Sequence, residues 1–166
     1  MEIAGWGLGT HDGNAGALGA GLLAAYRPWN VLAAAVLVET TGVREAALGP
    51  GLAAYRTSRL GIGASVRRQW GRTFGDAGIF PELTMLTVDG RQLASARGVT
   101  TWGAAADLRG RLGLTLGRFA PFVFAGGSWA LRAERLTLED RPQTTTLSRW
   151  NLSAGAGLAV LFGATK

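Results

Sequence analysis

The part of this chain that can do chemistry is a set of arginines and carboxylates spaced two residues apart. In 101–116, Asp107, Arg109 and Arg111 share one side of an alternating segment, opposite Trp102, Ala104, Ala106, Leu108, Leu112 and Leu114. By the same alternation Arg59, Ser65, Arg67 and Gln69 fall together, and so do Ser128, Arg132 and Glu134. Successive side chains of a strand point to opposite faces, so these charges face away from the apolar residues. Guanidinium groups gathered in a confined space either favour the passage of small anions or pair with carboxylates into a polar plug. Asp107, Glu45 and Glu134 are the expected partners, because an unpaired buried charge is strongly destabilising. At this stage the plug and the pore both stay open.

Other chemistries have less to work with. His11, beside Asp12, is the single histidine, and the spacing of serines such as Ser128 and Ser148 selects none of them as its partner. A lipid-modifying enzyme built on His11 is therefore a third reading, and no catalytic residue is assigned. The chain has no cysteine and no group of residues at metal-ligand spacing, so no metal site and no cofactor are expected.

The elements that position these charges are strands. In 150–162, Leu152, Ala154, Ala156, Leu158, Val160 and Phe162 share one face, and Asn151, Ser153, Gly155 and Gly157 the other. At ~3.3 Å per residue and a tilt of about 40°, this stretch rises roughly 30 Å, which suits a membrane. Glycines recur on the charged side at Gly19, Gly21, Gly49, Gly51, Gly61 and Gly63, and they are expected to leave volume in the interior. Turn signals and alternation place strands at 2–11, 15–26, 31–40, 44–55, 59–70, 100–116, 119–135 and 147–162. The connections at 27–30, 56–58 and 117–118 are short; those at about 71–98 and 136–146 are long. Within the first long loop, 79–88 reads as a hairpin arm turning at Asp89-Gly90.

With both termini at the short-turn end, Tyr26, Tyr55, Phe119 and Phe162 lie there, and Trp70, Trp102, Trp129 and Trp150 lie near the loops. These are the two aromatic girdles of a membrane barrel. Only 17% of the residues are charged, low for a soluble domain, yet no apolar run is long enough for a membrane-crossing helix. A chain that crosses lipid without such a helix must close into a barrel. The expected fold is all-β, an eight-stranded antiparallel up-and-down transmembrane β-barrel forming one domain over 1–166. A lipocalin-like soluble barrel would carry its apolar side chains inside, the inverse of this pattern.

Even strand number, short turns, long loops and a last strand closing on Phe162 resemble the small bacterial outer-membrane barrels of the OmpA and OmpX type. In that family the final aromatic is read by the assembly machinery; here Gly163-Ala164-Thr165-Lys166 follows it. The resemblance implies residence in the bacterial outer membrane and a structural, anchoring or interaction role. No signal peptide precedes Glu2, so the sequence reads as a mature segment. The net charge of +6 is spread over lumen, turns and loops, with no recognition helix, which argues against nucleic acid. The expected partners are the lipid bilayer, lipopolysaccharide phosphates at the loop-end arginines Arg68, Arg72, Arg91, Arg97, Arg135, Arg141 and Arg149, and a protein at loop 71–98.

Overall fold

Alternation with a period of two runs through most of the chain, and it folds accordingly. The computed structural model describes residues 1–28, 31–48, 51–91, 98–137 and 144–163. Its strands are β1 (Glu2–His11), β2 (Gly16–Tyr26), β3 (Leu32–Thr41), β4 (Arg44–Leu48), β5 (Gly51–Trp70), β6 (Thr73–Arg91), β7 (Val99–Leu114), β8 (Phe119–Ala130), β9 (Arg135–Thr137), β10 (Thr144–Thr146) and β11 (Trp150–Leu161). There is no helix among the described residues. All pairings are antiparallel: β1 lies between β2 and β11, β2 pairs with β3, β11 with β8, and β8, β7, β6, β5 and β4 follow in order, while β3 also pairs with β5, which closes the sheet; β9 and β10 pair apart from it. Because β4 continues β3 along the same neighbour β5, the barrel has eight strands. Closure leaves no sheet edge in the wall, the condition for placing backbone amides in lipid.

The route to eight strands differs from the sequence expectation in three places. The strand expected at 44–55 is divided, because 44–48 prolongs β3 along β5 and Gly51 already opens β5. Residues 56–58 do not turn; they lie inside β5, a strand of 20 residues. The stretch 71–98 is not a long loop, since Gly71 and Arg72 alone separate β5 from β6, a strand of 19 residues. Asp89 and Gly90 belong to β6 and make no turn. Pro81 explains the misreading. Proline cannot donate to a ladder, and the β5–β6 register is interrupted where Phe80 and Pro81 face Ile62 and Gly63. With β6 lost and the two wall strands 32–48 and 51–70 read as three, the expected count was right while its assignment was not.

The outer face carries Leu22, Val36, Ile62, Leu108, Val123 and Leu152, all exposed, whereas the inner face is buried. Inside, one register row alternates glycine and aromatic across six strands: Gly21, Trp6, Gly157, Phe122, Gly113 and Phe74. An eight-stranded lumen is only just wide enough for side chains, so neighbouring strands cannot both contribute rings at one height. A Cβ on Gly157 would stand 2.7 Å from Phe122 Cζ, and one on Gly113 2.6 Å from Phe74. The inward glycines Gly21, Gly155 and Gly157 are therefore roofed by rings and leave no empty volume. Gly49 lies outside the described residues.

Candidate functional site

Around that aromatic row the lumen is filled with charge, in three layers. At the short-turn end Arg67, Asp76 and Arg111 are direct cross-strand neighbours on β5, β6 and β7. Arg111 donates to Asp76 through Nε at 2.8 Å and through a terminal nitrogen at 2.7 Å, the bidentate fork that fits a carboxylate. Glu2 reaches in from β1 and sits 2.8 Å from both Arg67 and Arg111, and Arg27 closes the layer 3.4 Å from Glu2. Arg67 stacks over Phe74 at 4.1 Å and Arg111 over Phe122 at 5.2 Å, so the aromatic row supports the layer from below.

In the middle layer Arg109 donates to Glu39 across the lumen at 2.8 Å and lies 3.3 Å from Asp107 on its own strand. Its guanidinium also covers Trp6 and Phe124. Arg59 donates to Ser128 at 2.7 Å and stands 3.9 Å from both Glu39 and Glu82. Among the described residues neither oxygen of the buried Glu82 has a hydrogen-bond donor.

The third layer caps the lumen at the loop end. Asp12, in the tight β1–β2 turn, accepts from the amides of Asn14 and Ala15 at 3.0 and 2.9 Å and from the Tyr55 hydroxyl at 2.6 Å. Arg44 on β4 spans the mouth from Asp12 to Asn151, donating to Asn151 at 2.7 Å and also to Thr10. Burial works to raise the Asp12 pKa, but the Tyr55 hydroxyl, the two amides and Arg44 outweigh it and hold the carboxyl below its usual range. The same contact works the other way on Tyr55. Burial first, and then the adjoining carboxylate, push the phenol above its usual range.

The lumen charges balance. Among the described residues Arg27, Arg44, Arg59, Arg67, Arg109 and Arg111 face Glu2, Asp12, Glu39, Asp76, Glu82 and Asp107, six of each sign. The net charge of the chain therefore lies outside the lumen. The cavity around the cap at the mouth, lined by Asp12, Arg44, Tyr55, Arg59 and Ser128 and by Glu134, Ser148 and Arg149 of the loop end, has about 80 Å³. At roughly 30 Å³ per molecule this is room for two or three waters.

Of the residues singled out in the sequence, Arg59, Arg67, Asp107, Arg109 and Arg111 sit in this lumen. Glu45 faces outward on β4, Arg132 is exposed beyond the end of β8, and Glu134 is half-buried at the mouth. None of these three belongs to the buried layers. Sequence reasoning missed Glu2, Glu39, Asp76 and Glu82, the carboxylates that make the lumen neutral. His11 points outward while Ser128 points into the lumen, so the barrel wall separates them.

The girdles also differ by an exchange of two residues. Trp70 ends β5 at the short-turn end, beside Tyr26, Phe119 and Phe162, all exposed. Tyr55 is buried inside the loop end, and the upper girdle consists of Trp102, Trp129 and Trp150, the last two meeting edge to face at 4.1 Å. Arg68 and Arg72 consequently lie at the short-turn end, opposite to the expected one. Arg135 and Arg149 are exposed at the loop end; Arg97, Arg141 and the side chain of Arg91 lie outside the described residues.

No family model matches the sequence, and a comparison with curated proteins returns no match. Solved structures do match. Neisserial surface protein A (NspA) superposes with a TM-score of 0.68 over 97% of this chain and 95% of its own, at 13% identity. A major outer membrane protein of Thermus thermophilus gives 0.67 at 9% identity, covering 98% of this chain and all of the other. Ail, the attachment invasion locus protein of Yersinia pestis, solved with the heparin analogue sucrose octasulfate, gives 0.55 at 10% identity over 95% and 96% of the two chains. The chain has the eight-stranded fold of small outer-membrane barrels.

Proposed function

We infer that this chain is an integral protein of the bacterial outer membrane whose barrel anchors and displays, and does not conduct. The observation that carries this reading is the neutral, layered plug: six arginines matched by six carboxylates, capped by Arg44 and Asp12. An anion passage would need an excess of positive charge along an open path, and the lumen offers neither. What the barrel displays is a sheet. β5 and β6 continue past the Trp102 register, where Trp102 pairs with Met85, to Leu52 and Arg91, roughly 20 Å of strand at ~3.3 Å per residue. Flanking it, Thr145 of β10 donates to Ala47 of β4 at 3.0 Å and ties the last loop to it.

A second reading of the partner concerns polyanions. The Ail structure holds a sulfated sugar analogue, and this chain exposes Arg56, Arg132, Arg135 and Arg149 at the loop end. That basic rim is the surface at which a sulfated or phosphorylated glycan would be met.

Because the chain has no cysteine, single-cysteine labelling tests placement directly. With the protein exported in a Gram-negative host, Arg56→Cys is expected to react with an impermeant thiol reagent on intact cells, and Arg118→Cys only after permeabilisation. Equal labelling of both on intact cells, or of neither, would contradict the assignment.

A further inference from the structure

Between the girdles the described wall facing lipid carries one fixed charge, Arg68. Its neighbours on that face of β5, Val66, Ala64 and Ile62, are apolar or small, and it sits one outward position above Trp70. Among the described residues the partner of its guanidinium is the Trp70 ring, 5.6 Å away. That ring in turn lies over Gly75, within 3.2 Å of where a Cβ would stand. An arginine facing lipid is costly unless its head group reaches the interface and an anion there. A groove in the outer wall opens beside it, floored by small residues: Gly75 and Ala77 of β6, Gly110 of β7 and Ala125 of β8. Leu112 and Val123 line its lower side.

We propose that Arg68 and this groove bind an anionic phospholipid, the phosphate on the guanidinium and an acyl chain along Ala77, Gly110 and Ala125, beyond the Trp70 ring that covers Gly75. Charge complementarity commits the site to an anionic lipid. The exposed charges of the described short-turn end, Arg68, Arg72 and Arg118, are all positive, and Glu2 and Asp76, the acids of that end, are buried in the lumen. A zwitterionic head group would bring its own cation into this surface. The small residues supply the second half of the fit, because a chain laid over glycine and alanine contacts the wall along its length where leucines would hold it off. The site rests on the membrane reading above and adds to it a ligand and a place.

The test compares wild type, Arg68→Gln, Arg118→Gln and Gly110→Leu, each full-length chain refolded in micelles doped with phosphatidylglycerol or with phosphatidylcholine of the same acyl chains. Folding is scored by heat-modifiable gel migration and retained lipid by native mass spectrometry. Gly110 suits the purpose because a Cβ there meets nothing closer than 3.9 Å. Wild type and Arg118→Gln are expected to retain phosphatidylglycerol over phosphatidylcholine by about fivefold, the factor one basic group near an anionic surface contributes. Arg68→Gln should retain the two equally, and Gly110→Leu should retain less of both. Equal retention by wild type, an undiminished preference in Arg68→Gln, or a loss in Arg118→Gln as complete as in Arg68→Gln would overturn the site. A chain that fails to insert at all sinks the membrane reading with it; one that inserts without the preference sinks the lipid site alone.

Discussion

Arg109 and Glu39, 70 residues apart in sequence, meet across the middle of the lumen at 2.8 Å, with Asp107 3.3 Å behind the guanidinium. The pair ties β3 to β7, strands three apart around the wall that share no ladder. Replacing one member leaves the other charged and buried without its partner. Glu39→Gln is expected to lower stability by about 3 kcal/mol, the cost of breaking a buried pair, whereas replacing Glu39 and Arg109 together by leucine should recover most of it. Urea unfolding in vesicles measures both, and equal destabilisation by single and double variants would count against the pairing.

Glu82 should behave differently from Glu39. The middle layer holds three carboxylates, Glu39, Glu82 and Asp107, for two arginines, and Glu82 receives no direct hydrogen bond. Glu82→Gln removes a surplus charge and should cost less than about 1 kcal/mol or stabilise. A loss as large as that of Glu39→Gln in the same urea series would mean that Glu82 holds Arg59 as firmly as Glu39 holds Arg109.

The glycine–aromatic row makes a steric prediction. Gly157→Ala brings a methyl against Phe122 at 2.7 Å and against the Gly5 carbonyl, and should cost about 1–3 kcal/mol through overpacking. Gly110→Ala, on the outer wall with open space, should change stability by less than about 0.5 kcal/mol. Paired unfolding midpoints decide it, since a flexible lumen would make the two substitutions equivalent.

At the mouth, acid and base act on one contact. The Asp12 pKa is depressed in the folded state, so its contribution is present above the unfolded value of about 3.9 and is lost as pH falls through the folded value. Protection of the Asn14 and Ala15 amides from hydrogen exchange, taken relative to the intrinsic rate at each pH, should persist through neutral pH and fall only in strong acid. On the alkaline side, spectroscopic titration should show a late-ionising phenol that Tyr55→Phe removes; a tyrosine component that Tyr55→Phe leaves unchanged would refute the contact.

Much of this was legible in the sequence, and what was not has a physical reason. Alternation is clean wherever one face meets lipid, so β1, β2, β3, β7, β8 and β11 and the inward arginines of β5 and β7 could be read directly. Asp76 and Glu82 were hidden because Pro81 made β6 look like a loop. Glu39 and Glu2 were hidden because the residues sharing their face, Ala33, Ala35 and Leu37 in one strand and Ala4, Trp6 and Leu8 in the other, are apolar. An interior that mixes rings with ion pairs does not show its polarity in any one strand. Arg56-Thr57-Ser58 passed for a turn because that part of β5 rises toward the loop end, where polar residues are tolerated on the outer face.

Single-channel conductance of the refolded chain in a planar bilayer, with insertion confirmed on the same preparation, tests the closed, neutral lumen most directly. The account predicts a silent bilayer for the wild type and also for Arg109→Ala at low voltage, because the layers above and below remain paired. A steady anion-selective current in the wild type, altered by Arg109→Ala and Arg111→Ala, would contradict it.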